Sequence, residues 1–150
     1  VDYAQTDADF NGYEFEVGRS FSTNNGELQI SYGREEVVGT FASGGNVPRI
    51  TPIKNVYRFA LEQRDVTYDI KIMDVQKEDD IGFGESVTDG YTMVDFDIRR
   101  SIAIGSDEEL VLSVFGRNLM DEKARNHTSY VKNEVPLAGR NFGIKLNFNF

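Results

Sequence analysis

Hydrophobic and polar residues alternate with a period of two through most of this chain. The clearest case is the C-terminal segment, where every second position is apolar: Phe142, Ile144, Leu146, Phe148 and Phe150. Successive side chains of a β-strand point to opposite faces, so this segment predicts a strand with one apolar face and one polar face. Nowhere does the chain show the periodicity of an amphipathic helix.

Further runs of the same alternation precede this segment, and most are rich in aromatic and β-branched residues. They are centred on residues 13–17, 28–32, 53–61, 66–72, 94–98 and 110–115. The pattern therefore predicts an all-β chain of about seven strands.

The connectors between the predicted strands alternate in length. Short polar links lie at 22–26, 62–65 and 105–108, and long links run roughly over 39–52, 76–90 and 121–139. Short links close hairpins, so the strands are predicted to form an antiparallel meander. Short turns at one end and long loops at the other are typical of an outer-membrane β-barrel. Because about seven strands in one sheet leave two unpaired edges, a membrane chain of this kind would be part of a larger closed barrel.

Charge and composition exclude several classes of function. The chain has 16 basic and 25 acidic residues and a formal net charge of −9, which disfavours nucleic-acid binding. It has no cysteine, which excludes disulfides, thiolate metal sites and a cysteine nucleophile. No transmembrane helix is expected, because no stretch is long and apolar enough. The absence of a secretory signal predicts either a cytoplasmic protein or part of a longer one.

The link 76–90 holds most of the candidate metal ligands. Its carboxylates offer oxygens of the kind that Ca²⁺ binds, although their spacing is not that of an EF-hand: Glu78, Asp79, Asp80, Glu85 and Asp89. A solvated acidic loop is the simpler interpretation. His127 is the only histidine, so no zinc site with two histidines can form within this chain. A bound Ca²⁺ is therefore the cofactor that these residues suggest, and Zn²⁺ has no support from them alone.

Charged residues also occupy the polar positions of the predicted strands. They are Glu14, Glu16, Asp69, Lys71, Asp95, Asp97, Arg99 and Lys145. Pairing with one another across strands, or with a domain inside a barrel, is favoured over ligand contact. Adjacent acids such as Glu35 and Glu36 point to opposite faces of a strand, so they cannot share a proton. Without a catalytic motif, the sequence predicts that the protein is not an enzyme.

Two motifs near the C-terminus resemble those of TonB-dependent outer-membrane receptors. In that family an Asn-Leu-x-Asp motif closes the penultimate strand, and Asn118, Leu119 and Asp121 match it here. A Pro-x-x-Gly-Arg element that opens the last strand is matched by three further residues, Pro136, Gly139 and Arg140. The family usually has Pro-Gly-Arg, so proline is displaced in this chain, but a glycine that can adopt positive φ is kept.

The resemblance also covers segments 8–16, 47–52 and 88–91, in the family's order. It implies that residues 1–150 are the C-terminal segment of a barrel of about 22 strands, with a plug domain and further strands outside this chain. The implied function is a receptor in the outer membrane of a Gram-negative bacterium. Such a receptor imports a scarce nutrient, an iron chelate or a metal ion, and is energised through TonB.

The implied partners are outer-membrane lipid and lipopolysaccharide, the TonB complex acting through the plug, the barrel assembly machinery and the cargo. Phe148 and Phe150 resemble the terminal aromatic signal that the assembly machinery reads. The segment 125–132 resembles the last outer loop of a subset of these receptors assigned to zinc uptake, which is the reason for considering His127 as a zinc ligand.

Two other interpretations stay open at this point. One is a soluble all-β carbohydrate-binding sandwich that uses tyrosines as stacking platforms, although the chain lacks tryptophan. Those tyrosines are Tyr13, Tyr32, Tyr57 and Tyr68. The other is a small autonomous barrel acting as an adhesin or pore, which requires an even number of strands. An eighth strand at 1–8 would need a turn at 11–12, whereas the shared parity of Tyr3 and Tyr13 predicts one long strand.

Overall fold

A computed structural model describes residues 5–105 and 108–150 as seven β-strands in one open sheet. The strands are β1 (Ala8–Thr23), β2 (Gly26–Phe41), β3 (Lys54–Gln63), β4 (Val66–Val75), β5 (Tyr91–Ala103), β6 (Glu109–Arg117) and β7 (Asn141–Asn149). Each strand pairs antiparallel with the next, so the sheet order follows the chain order. The predicted all-β antiparallel meander is confirmed. In the described part of the chain, no helix is long and apolar enough to cross a membrane.

The predicted alternation of short and long connectors is also confirmed. Two-residue turns, at 24–25 and 64–65, join β1 to β2 and β3 to β4. The link between β5 and β6 is short too, but residues 106 and 107 of the predicted turn lie outside the described ranges. The long loops are L1 (42–53), L2 (76–90) and L3 (118–140). Because the strands are antiparallel, all three lie at the same end of the sheet.

The first strand is continuous through the Asn11-Gly12 pair. Asn11 is paired with Val38 and Gly12 with Val37, so no turn forms there. The prediction of one long strand is confirmed for the described residues, whereas Tyr3 and the rest of segment 1–4 lie outside them. The eighth strand that an autonomous barrel requires is therefore not present in residues 5–105 and 108–150.

The strand registers place the apolar stripes of all seven strands on one side of the sheet. Residues directly opposite each other in an antiparallel pair point to the same side. Tyr57 is opposite both Tyr32 and Ile72, and Val114 is opposite both Ile98 and Ile144. We call this side the apolar face. The eight charged residues predicted to share a parity lie together on the other side, which we call the polar face.

Almost nothing in this sheet is buried as a hydrophobic core. Among the described residues, the buried hydrophobic side chains are those of Val75 and Ala124. Apolar residues on β7 are instead open to the surroundings, with Phe142 65%, Ile144 72% and Leu146 64% exposed. A soluble sandwich would cover such a face with a second sheet. The described residues form a single sheet, so the sandwich expected of the carbohydrate-binding alternative is not observed.

Aromatic rings fill the space above two glycines where β5, β6 and β7 meet. The ring of Phe115 on the polar face covers Gly143, where a Cβ atom would overlap the ring. On the apolar face the ring of Phe96 covers Gly116 in the same way, at 2.5 Å. Glycine at these strand positions allows the close approach of a ring that any larger residue would displace.

Candidate functional site

Asn118 links the end of β6 to the residues that precede β7. Its side chain is buried, its Nδ2 donates to the carbonyls of Glu122 (2.9 Å) and Ala138 (3.1 Å), and its Oδ1 accepts from the Glu122 N–H (2.8 Å). Its own N–H donates to Asp95 Oδ1 on the polar face. An amide is the one side chain that supplies donors and an acceptor in this arrangement. The first residue of the Asn-Leu-x-Asp motif therefore closes β6 physically.

The second half of the motif is held to the Gly-Arg element. Asp121 Oδ1 accepts from the Arg140 N–H at 2.9 Å, and Arg140 Nη1 donates to the Leu119 carbonyl at 3.3 Å. Positive φ falls on Asn118 (49°) and Asp121 (55°), and not on Gly139. Gly139, which is able to adopt a positive φ, does not do so here. Its lack of a side chain matters because a Cβ would lie 3.2 Å from Asp121 Oδ1.

A band of hydrogen-bonded polar side chains crosses the apolar face at its long-loop end. We call it the polar row: Tyr13, Arg34, Glu36, Asn55, Asp74 and Thr92. Arg34 bridges Glu36 and the Tyr13 hydroxyl, and reaches Asn55 Oδ1 at 3.3 Å. Asp74 in turn accepts from Asn55 and Thr92. The apolar face therefore ends at a satisfied polar boundary across five strands.

Aromatic rings lie next to the polar row, on the side facing the short turns. The rings of Tyr32 and Tyr57 are 5.0 Å apart, and Phe15 meets Tyr32 edge-on at 5.7 Å. The hydroxyls of Tyr13 and Tyr32 bond into the polar row. Tyr68 lies further along the same face. Three of the four tyrosines considered as stacking platforms thus form part of a belt that has the polar row on one side and apolar side chains on the other.

The polar face carries ion pairs between neighbouring strands. Arg117 forms a bidentate pair with Asp97, at 2.8 and 2.9 Å, and Lys54 pairs with Glu35. Like charges also face each other directly, as in Glu14 with Glu35 and Asp69 with Asp97. An open pocket of about 260 Å³ on this face is lined by both signs of charge. Of the eight charged residues that were predicted to pair across strands, Asp97 forms such a pair in the described part of the chain.

Glu78, Asp79 and Asp80 of L2 line a second pocket, of about 200 Å³, together with residues of L1 and of the long-loop end of β2. Asp79 pairs with Lys77 at 2.7 Å, which lowers the pKa of the Asp79 carboxyl. Burial, followed by the nearby charges of Asp80 and Asp79, raises the pKa of Glu78. No group of three His, Cys, Asp or Glu side chains able to hold a metal is found in residues 5–105 and 108–150. The metal-ligand role of Glu78, Asp79, Asp80 and His127 stays a prediction.

His127 is buried where the three long loops meet. Its Nδ1 lies 2.8 Å from the Thr88 hydroxyl and 3.2 Å from Lys132 Nζ, and its Nε2 lies 3.5 Å from Glu85 Oε1. Lys132 also donates to Thr88 Oγ1 and to the Ser86 carbonyl. All four side chains are nearly inaccessible to solvent. We call this group, Glu85, Thr88, His127 and Lys132, the loop cluster.

The hydrogen-bond donors around His127 determine its protonation. An ammonium group can only donate, so Nδ1 beside Lys132 must accept, and the ring proton lies on Nε2, facing Glu85. Burial, reinforced by the positive charge of Lys132, lowers the pKa of His127 from its usual value of 6.5. The neutral ring is therefore the form that fits the loop cluster.

Acidification should weaken the loop cluster through His127. Because the pKa is lower in the folded state than in the unfolded state, its contribution is fully present above pH 6.5 and is lost as the pH falls below that value. We expect the melting temperature of the intact protein to fall between pH 7 and pH 5 by more than that of His127→Gln. Parallel curves for the two proteins would contradict this assignment.

Sequence reasoning found only part of the loop cluster. It named Glu85 and His127 as possible metal ligands, but it missed Thr88 and Lys132. The contacts of Thr88 with His127 and with Lys132 join positions 39 and 44 residues apart, and they depend on how L2 and L3 fold over the sheet end. The family-like segment 125–132, which contains both His127 and Lys132, was a further signal. Arg49 was not recognised either, although its guanidinium lies 3.2 Å from the centre of the Tyr130 ring.

The similarity of this chain to known proteins is found at the level of structure and not of sequence family. No family model matches the chain. No curated protein sequence matches it. Among solved structures, the copper transporter OprC is similar to it, with a TM-score of 0.81 and 19% sequence identity over 97% of this chain. The chain spans 24% of that transporter's chain. At this identity the similarity shows the fold: the seven-stranded antiparallel sheet corresponds to part of the larger structure of that transporter.

Proposed function

We propose that this chain is a wedge of the transmembrane β-barrel of a TonB-dependent outer-membrane receptor, which imports a metal ion or a metal chelate. The observation that supports this proposal best is the two-sided open sheet. One face is apolar, with exposed hydrophobic side chains on six strands and half-buried ones on β6, and the other is charged. In a barrel wall the first face would meet lipid and the second would line the hydrated interior.

The boundaries of the apolar face fit a bilayer. The polar row and its adjoining tyrosines lie at the long-loop end, as the headgroup region and aromatic girdle would require. Strands β3 and β4 are each 10 residues long and β7 is 9, within the length that spans a bilayer at a tilt of about 45°. The long loops would then face the exterior and the short turns the periplasm.

The free edges of the sheet require further strands in this setting. β1 and β7 each pair on one side only. Unpaired backbone groups in lipid cost several kcal/mol each, so only a closed barrel is stable there. The comparison supports strands outside this chain, because the chain matches 24% of a transporter. We therefore assign closure, the plug and the coupling to TonB to parts of the protein outside residues 1–150.

Metal is the cargo that the comparison favours. The similar structure is named a copper transporter, which supports a metal ion over other nutrients and gives no particular support to zinc. The proposed protein moves its cargo without chemical change. Lipopolysaccharide, the assembly machinery and the terminal signal at Phe148 and Phe150 are part of the same proposal. The rings of these two residues lie 5.8 Å apart and are exposed.

Cell fractionation and metal uptake test this proposal. We expect the intact protein in the outer-membrane fraction, resistant to extraction with carbonate, and we expect its deletion to lower cellular copper under copper limitation. Zinc and iron measured in the same cells identify the cargo, and deletion of TonB should reproduce the defect. An intact protein found in the soluble fraction would reject the barrel. Unchanged levels of all three metals would reject metal import.

A further inference from the structure

We propose that L1, L2 and L3 form a single cap that opens as one unit and that Glu85 and Lys132 hold closed. This inference concerns the loop end of the sheet and does not depend on the transport proposal. Most long surface loops move independently of one another, because few contacts join them. Here, two buried charged side chains connect all three loops.

Glu85 joins L2 to both other loops. Its Oε1 accepts from the Arg49 N–H of L1 at 2.8 Å and lies 3.5 Å from His127 Nε2 of L3. Its Oε2 accepts from the Gly82 N–H at 3.0 Å, which fixes the carboxylate within its own loop. Gly82 itself packs on Pro48, because a Cβ there would lie 2.6 Å from the proline nitrogen.

Lys132 joins L3 to L2 from the other side of the loop cluster. Its ammonium donates to the Ser86 carbonyl and to the Thr88 hydroxyl, and its Nζ also lies 3.2 Å from His127 Nδ1. At the surface, Arg49 of L1 covers the Tyr130 ring of L3, and Asn133 Nδ2 donates to Ser86 Oγ. Each pair of loops therefore has at least one direct contact.

Burial makes these contacts cooperative. If one loop moved away alone, Glu85 or Lys132 would lose part of the set of buried hydrogen bonds that stabilises its charge, which is more costly than losing one exposed hydrogen bond. Once the charge reaches water, the remaining loops lose the group that held them. Partial opening is therefore disfavoured, and the three loops should share one opening equilibrium.

Hydrogen exchange of the intact protein, followed by mass spectrometry, tests the cap. We expect Glu85→Gln to speed amide exchange at least tenfold in all three loops, because the amide group places a donor against an N–H. Lys132→Met should give the same pattern, and it replaces Glu85→Gln if that variant fails to assemble. The matched control is Glu134→Gln, an exposed glutamate of L3, which should leave exchange unchanged. Faster exchange confined to the substituted loop would overturn the proposal.

Discussion

Replacement of Leu146 by arginine should lower the free energy of unfolding of the intact protein in lipid by about 2–4 kcal/mol, the cost of arginine at the centre of a bilayer. Leu146 is the middle apolar residue of β7, lies opposite Leu112 and points away from the charged face. The measurement is equilibrium unfolding in guanidinium chloride, with the protein inserted in phospholipid vesicles. Assembly in cells should fall in parallel.

The matched control is the next residue along the strand. Asn147 lies opposite Val111 on the polar face, so an arginine there would enter the hydrated interior. We expect Asn147→Arg to change the free energy of unfolding by less than about 0.5 kcal/mol, as at an ordinary surface site. In a soluble protein the expectation differs, because Leu146 is 64% exposed and arginine in its place would be tolerated. Equal, small effects of both substitutions would therefore reject the lipid-facing assignment.

The sheet was predictable because its information is local. A period of two identifies a strand and its two faces without any knowledge of the partners, and short links determine which strands pair. The alternation at 142–150 and the parity of Asp95 and Lys71 were sufficient to assign both faces. The positions of the strand ends were predicted less accurately. β1 and β2 each extend to 16 residues, because their hairpin continues beyond the first residue of β3, at the long-loop end of the sheet.

The loop end was not predictable for a physical reason. Contacts such as Glu85 with the Arg49 N–H join positions 36 residues apart in segments without periodicity. Their side chains are polar, so the sequence suggests solvated loops or metal ligands. Whether a carboxylate is buried depends on the packing of three loops, none of which has a periodic sequence pattern. The same applies to the positive φ angles, which fell on Asn118 and Asp121 while the sequence directed attention to Gly139.

Replacement of Asn118 by alanine should lower the free energy of unfolding by about 3 kcal/mol, roughly 1 kcal/mol for each of its three side-chain hydrogen bonds. Alanine would remove the buried amide that donates to the carbonyls of Glu122 and Ala138. It would also have to adopt the φ of 49°, which a small polar residue tolerates better. Guanidinium unfolding of the intact protein in vesicles measures this loss.

Asn118→Asp separates the hydrogen bonds from the backbone conformation. Aspartate tolerates the left-handed region as asparagine does and can still accept from the Glu122 N–H, but its second oxygen would face two carbonyl groups. We therefore expect Asn118→Asp to be at least as destabilising as Asn118→Ala. The control Asn141→Ala removes one exposed hydrogen bond, to the Gly139 carbonyl, and should cost about 1 kcal/mol or less. A neutral Asn118→Asp would show that the residue serves the backbone turn alone, and the asparagine would then not be what binds β6 to the start of β7.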